Sequence, residues 1–404
     1  MSFYKQKTLR LLLLPVVAAF ATLMGACGGA GDGGAIQAAA EVRTNVQRVI
    51  VETGPAAGVN QLFTTVTVCA PAALAQCETI DHVLVDTGSS GLRLFSSALS
   101  PALALSQRTS ASGQALVECA QFADGYTWGP VKQADVKLGD TQAHEIAIHI
   151  MGDPQFPVPA GCASSGPSQN TVRLFGANGV LGIGPFDHDC GMACSTSAGL
   201  QIYFECTGST CRPTTVALAQ QVSNPVSSLP ANNNGVLIQL PALERGSASS
   251  VVGSLIFGIG TQANNSVDAA HVFNVRQDDG YITTTYKGRE FTESFIDSGS
   301  NATYFRDSTL AICSSGFYCP VATQELLASL QDSGAVAQLI KFRVGNADSL
   351  FVSDPSAAAF DSLAALDPKP DGFTWGLPFF FGRNVFVAIE GRATPSGPGP
   401  YFAH

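Results

Sequence analysis

The sequence predicts an all-β chain arranged as two similar lobes, and three observations carry that expectation. Val83-Leu84-Val85-Asp86-Thr87-Gly88-Ser89-Ser90-Gly91-Leu92 delivers one Asp from a β-branched run into a turn of Gly and hydroxyl residues. Ser294-Phe295-Ile296-Asp297-Ser298-Gly299-Ser300-Asn301 repeats that plan far downstream. Between and around the two loops, apolar residues come in short alternating runs bounded by Gly, Pro and Asn, the pattern of strands.

Along the chain, Lys5, Lys7 and Arg10 precede the apolar run Leu11 to Leu23, and Met24-Gly25-Ala26-Cys27 follows. Residues 1–26 are the expected bacterial secretion signal, with Cys27 the expected lipidation site. The Gly/Ala-rich residues 27–44 form a flexible tether. Residues 45–228 are expected to form the first lobe and 229–404 the second, with their junction around Asn224 to Ala231. No later stretch reaches the roughly 18 apolar residues that a membrane span needs.

Loss of Lys5, Lys7 and Arg10 with the leader takes the formal net charge from −10 to −13. An acidic, sparsely charged chain argues against nucleic acid or an anionic membrane surface as partner, leaving the lipid as the only membrane contact. The chain is expected to be a monomer. Ten cysteines remain beside Cys27, an even number in an exported chain, which points to disulfides. Proximity pairs Cys69 with Cys77, Cys190 with Cys194, Cys206 with Cys211 and Cys313 with Cys319, and leaves Cys119 and Cys162 to join each other. Asp187-His188-Asp189-Cys190 with Cys194 also reads as a metal cluster, but the oxidising compartment favours a loop disulfide, so no metal is expected.

Val46 to Val51 and Leu62 to Val68 read as the first strands, with Cys69 and Cys77 clipping a hairpin tip. Gly179-Val180-Leu181-Gly182-Ile183-Gly184 lacks the Lys-Ser/Thr that a phosphate cradle requires. Thr215 to Gln221 reads as a short helix, and Val236 to Leu240 and Ser254 to Phe257 as strands. In the second half, strands are expected at Val272 to Val275 and Tyr281 to Tyr286. A helix is expected from Gln324 to Ile340, where Leu326, Leu327, Leu330 and Leu339 recur at helical spacing.

The paired Asp loops have a chemical rationale. Two carboxylates a few ångströms apart cannot both ionise, so they share one proton; one then acts as general base on a water while the other donates to a carbonyl oxygen. Glycine lets backbone approach a carboxylate closely, and neighbouring hydroxyls donate hydrogen bonds that orient it.

These loops resemble the active-site motifs of pepsin-like aspartic proteases, hydrophobic-hydrophobic-Asp-Thr/Ser-Gly-Thr/Ser. The resemblance spans residues 45 to 404 and fits an exported, largely uncharacterised bacterial branch of lipoprotein type. It implies that Asp86 and Asp297 are the catalytic dyad, supported by Thr87, Gly88 and Ser89 and by Ser298, Gly299 and Ser300. It also implies that Phe122 to Gly129 is a flap closing over substrate, and that Gly179 to Gly184 and Trp375 to Val387 run beneath the two loops. Phe122 falls where the family carries a Tyr, and Arg93 where it carries the Trp bonded to that Tyr; Tyr126 or Trp128 is expected to substitute. Arg93, if it faces the dyad, would favour ionised carboxylates. The implied function is an exported endopeptidase acting on extended peptides without a cofactor. The altered flap, and the lack of a basic pro-segment, favour a competing non-catalytic peptide- or envelope-binding lipoprotein of the same fold.

Overall fold

Val46–Val51 buries Gln47, Val49 and Val51 and turns the residues between them outward, the period-2 pattern of a strand. In the computed structural model, which describes residues 45–71, 76–267, 269–332 and 337–404, this strand does more than open the fold. It pairs antiparallel with Val251–Phe257 along its whole length and with Leu62–Cys69 at its end, so it joins strands from both halves of the sequence. The leader, the tether and Cys27 lie outside the described residues. All described residues belong to one compact unit.

The architecture is all-β with a few one- or two-turn helices, as the sequence predicts. A large sheet runs from the hairpin Tyr203–Thr207/Thr210–Pro213 through the strands of the first half, and passes through Val46–Val51 to Val251–Phe257, Gly235–Gln239, Asn384–Ala388 and Tyr401–Ala403. A separate seven-stranded sheet is built from Ile282–Tyr286, Arg289–Ile296, Gly372–Trp375 and their neighbours.

One local topology appears in both sheets. Cys77–Asp86 lies parallel to Gly179–Ile183, which also pairs antiparallel with Ser90–Phe95, the strand leaving the first Asp loop. Arg289–Ile296 lies parallel to Gly372–Trp375, which bridges antiparallel to Thr303–Phe305, the strand leaving the second loop. Strands flanked on both sides within a core are buried on both faces, so they read as continuous apolar runs. All five residues of Gly179–Ile183 and all four of Gly372–Trp375 are buried accordingly. Val85, Leu92, Leu181 and Ile183 pack beneath the first loop, and Ile296, Phe305, Phe373, Trp375 and Phe379 beneath the second.

The expected helix from Gln324 to Ile340 is instead an antiparallel strand pair, Gln324–Gln331 with Ala337–Val344. Leu326, Leu327 and Leu330 fit helical spacing by coincidence; the buried side chains are Ala328 and Leu330 on one strand and Ile340 and Val344 on the other, each at period 2 or 4. Leu330 is fully buried whereas Leu327 is half-exposed. Leu330→Ala is therefore expected to cost about 2–5 kcal/mol and Leu327→Ala less than about 1 in urea unfolding. Equal costs would contradict the strand pairing. The helix expected at Thr215 to Gln221 shrinks to a 3-10 turn, Leu218–Gln220.

Five disulfides join Cys69–Cys77, Cys119–Cys162, Cys190–Cys194, Cys206–Cys211 and Cys313–Cys319, the pairs read from proximity. Such a set belongs to an oxidising compartment, extracellular or periplasmic. Among the described residues no helix is long and apolar enough to cross a membrane.

Candidate active site

Each Asp leaves the end of a buried strand, and the turn that follows is held by its own hydroxyl and amide donors. Gly88 N–H donates to Asp86 Oδ1 at 2.8 Å, and the Ser89 hydroxyl donates to Asp86 Oδ2. Gly299 N–H donates to Asp297 Oδ1 at 2.8 Å, and the Ser300 hydroxyl donates to Asp297 Oδ2 at 2.6 Å. The two turns are also laced together. The Thr87 hydroxyl donates to the Ile296 carbonyl at 2.8 Å and accepts from Ser298 N–H at 3.0 Å. The Ser298 hydroxyl donates to the Val85 carbonyl at 2.7 Å and accepts from Thr87 N–H at 3.2 Å.

That lacing brings the carboxyls face to face. A Cβ on Gly88 would stand 2.8 Å from Asp297 Oδ1, and one on Gly299 would stand 2.6 Å from Asp86 Oδ1, so each glycine vacates the place its partner loop's carboxylate occupies. Asp86 and Asp297 are buried, 7% and 8% exposed. Burial pushes the Asp297 carboxyl well above the ordinary range, and the charge and hydrogen bond of Asp86 push in the same direction. A carboxyl so raised beside a second one is the arrangement that acid–base chemistry on a water requires.

The strands beneath set the loops' height. Asp297 N–H donates to the Trp375 carbonyl, Leu377 N–H to the Ser300 carbonyl, and Gly184 N–H to the Ser89 carbonyl. At Gly376 a Cβ would stand 2.0 Å from the Ala302 carbonyl oxygen and 2.7 Å from that of Ser300, and backbone cannot yield as a side chain would. Gly376→Ala is expected to destabilise the protein by at least about 1–3 kcal/mol in urea unfolding. An unchanged midpoint would contradict the packing under the second loop.

Ala115–Phe122 and Gly125–Leu138 form a hairpin whose exposed tip is Ala123-Asp124. Phe122 is half-buried and packs edge-on against Phe175, with ring centroids 5.4 Å apart. Tyr126 and Trp128 do not take over at the tip. Trp128 is fully buried, donates its indole N–H to the Phe156 carbonyl at 2.9 Å and packs against Phe204. Tyr126 is buried in the same cluster, beside the Cys119–Cys162 disulfide. Both aromatics are buried just behind the tip of the hairpin.

Arg93 does not turn to the Asp pair either. Its guanidinium donates to Glu118, to Asp189 and to the Ser90 carbonyl, all buried behind the first loop. Asp189, read as one member of a metal cluster, is engaged there, and Cys190–Cys194 is closed as a disulfide. Glu118, His149 and Tyr203 were not singled out from the sequence, and Asp189 only within that metal reading. The available signal was a charge in the apolar run Ala115-Leu116-Val117-Glu118-Cys119-Ala120, since Glu is rarely fully buried without a partner.

Two further residues reach the second loop. Asn60 is fully buried and donates through Nδ2 to the Asn301 and Phe360 carbonyls, both at 2.8 Å, pinning a first-half loop to the second Asp turn. Tyr304 donates to Asn301 Oδ1 at 2.6 Å. Burial, then the charges of Asp297, Asp124 and Asp367, push its phenol up to about 12.

No curated protein sequence matches the chain. The solved aspartic proteinase from Irpex lacteus aligns with 89% of this chain and 96% of that chain at a TM-score of 0.51 and 13% sequence identity, a likeness of fold. A family model described as protein of unknown function (DUF3443) matches residues 41–404. That match covers most of the sequence, and the chain belongs to this family.

Proposed function

We propose that the protein is an exported aspartic-type endopeptidase, with Asp86 and Asp297 as the catalytic dyad. The observation that carries this reading is the pair of interlaced turns that hold two buried carboxyls in mutual hydrogen-bond contact. A water between them gives a proton to the ionised carboxylate and attacks the carbonyl carbon of a peptide, while the protonated carboxyl donates to the carbonyl oxygen. The resulting diol collapses as a proton passes to the amide nitrogen and the C–N bond breaks. No covalent enzyme intermediate forms, and no cofactor enters. Thr87 and Ser298 fix the spacing of the dyad, and Ser89 and Ser300 its orientation. An extended peptide or protein is the substrate, bound beneath the Phe122–Gly129 hairpin by a monomer. The five disulfides and the leader pattern support an envelope location, with Cys27 carrying a lipid anchor.

Phe122 offers no hydroxyl at the flap, and this favours, as the second reading, a binder that holds a peptide without cutting it. A peptide whose scissile amide is replaced by a hydroxyl-bearing tetrahedral carbon separates the two. The hydrolase is expected to bind it at least about 100-fold more tightly than the parent peptide and to lose that preference in Asp86→Asn. Equal affinity for the two peptides would favour the binder.

A further inference from the structure

A second buried carboxyl pair lies behind the first Asp loop. Arg93 sits on the strand that leaves that loop; Glu118 sits on the first strand of the flap hairpin; Asp189 lies beyond the Pro185-Phe186 segment. Arg93 Nε and Nη2 donate to Glu118 Oε1 at 3.2 and 2.6 Å, and the same Nη2 donates to Asp189 Oδ2 at 3.2 Å. The side chains of Arg93, Glu118 and Asp189 are 5%, 0% and 5% exposed. The Tyr203 hydroxyl donates to Asp189 Oδ1 at 2.7 Å and accepts from Val222 N–H at 2.8 Å. His149, opposite Arg93 in the strand register, places Nδ1 3.2 Å from Glu118 Oε2. These five side chains are the titratable and charged groups of the cluster, drawn from four strands and one loop.

The charge count is short of one. A single guanidinium serves two buried carboxyls, and His149 adds no charge near neutrality because burial, with Arg93 working against the pull of Glu118, pushes its ring down to about 4. Two ionised carboxylates would leave an uncompensated negative charge away from water, so the pair retains a proton. Tyr203 stays neutral, since burial, then Asp189, raise its phenol far above the usual range. Burial, then Glu118, raise Asp189 well above its usual range, whereas Arg93 overcomes burial at Glu118 and holds it low. The proton therefore resides mainly on Asp189.

The cluster also connects the flap to the dyad's own turn. Arg93 Nη1 donates to the Ser90 carbonyl at 2.8 Å, the Ser90 hydroxyl donates to the Phe186 carbonyl, and the adjoining Ser89 hydroxyl holds Asp86. We propose that Arg93, Glu118 and Asp189 form a one-proton clamp that ties the flap strand to the first Asp loop, and that loss of the proton to bulk water loosens the flap. Ionised Asp189 repels Glu118 and competes for the shared Nη2, and the strand bearing Glu118 leads to the exposed tip. Asp189 is then a positioning residue, acting through Glu118. Its effect on cleavage rests on the peptidase reading: the flap is held below the pair's titration and released above it.

Hydrogen exchange of the full chain tests the clamp without requiring cleavage, so a protein that cuts no peptide still gives an answer. In wild type, protection of Leu116–Phe122, corrected for intrinsic exchange, is expected to fall about tenfold per pH unit above the pair's titration. Asp189→Asn, a neutral mimic of the protonated acid, is expected to hold protection flat, while Ile282–Tyr286 in the other sheet behaves alike in both proteins. Identical pH profiles for Leu116–Phe122 in the two proteins would overturn the proposal. Tyr203→Phe supplies a second variant if Asp189→Asn does not fold. It removes the bond that favours the ionised acid, so the midpoint of loosening is expected to move to higher pH; a midpoint that stays in place would overturn the clamp.

Discussion

Asp297→Asn is expected to lower peptide cleavage by about 100- to 10,000-fold, and Asp86→Asn to do the same. The reaction needs one carboxyl ionised and one protonated, and a neutral amide at either position removes the proton exchange that links them. Because the two act as a unit, the double variant is expected to be no slower than the slower single variant. The same substitution has a stability consequence of opposite sense. Asp297 holds its proton to higher pH when folded than when unfolded, so its contribution is complete below the usual carboxylate range and is lost as pH rises through its raised folded value. Asp297→Asn escapes that loss and is expected to be more stable than wild type at pH 7, measured by urea unfolding. An active-site variant that is slower and sturdier is the signature of a strained carboxyl pair; a less stable one would show that the Asp297 carboxylate contributes more to folding than its burial costs.

Glu118→Ala is expected to destabilise the protein by about 3–5 kcal/mol, the cost of leaving the Arg93 guanidinium buried without its main partner. Glu118→Leu combined with Arg93→Met is expected to be far less damaging, since it removes both charges and refills the space. Urea unfolding of the two variants separates these outcomes, and a double variant as unstable as Glu118→Ala would show that packing, not charge, governs the cluster. His149 adds a pH limit from the acid side. Its ring is pushed down to about 4 when folded, against an ordinary value of 6.5. Between those values the unfolded chain binds a proton that the folded chain refuses, so stability falls as pH drops through that window, by roughly 3 kcal/mol in total. The acid side is thus limited by His149 and the alkaline side by Asp189 and Asp297.

The two Asp turns were legible in the sequence because short-range chemistry defines them: an Asp, two hydroxyls and a glycine must be adjacent for one turn to hold its own carboxylate. The element beneath the first loop, Gly179 to Gly184, was legible through the resemblance, whereas the one expected at Trp375 to Val387 starts earlier: the strand parallel to Arg289–Ile296 is Gly372–Trp375. The clamp was not legible. Arg93, Glu118, His149 and Asp189 meet only because strands far apart in sequence are neighbours in the sheet, and no periodicity announces which charge will find which partner. Arg93 therefore looked like a candidate to face the dyad, and Trp128 a candidate for the flap tip, when sheet register places both in the interior. The strand pair Gln324–Gln331 and Ala337–Val344 was misread because leucines four apart, Leu326 and Leu330, satisfy a helix and a strand alike.

The most direct measurement is cleavage of a random peptide library, read by mass spectrometry across acid to neutral pH, for the wild-type chain beside Asp86→Asn and Asp297→Asn. Wild type is expected to cut in acid and to slow as pH rises through the titration of Asp297, with both variants silent throughout. No cutting by wild type at any pH, or cutting that survives in either variant, would contradict a dyad-based hydrolase.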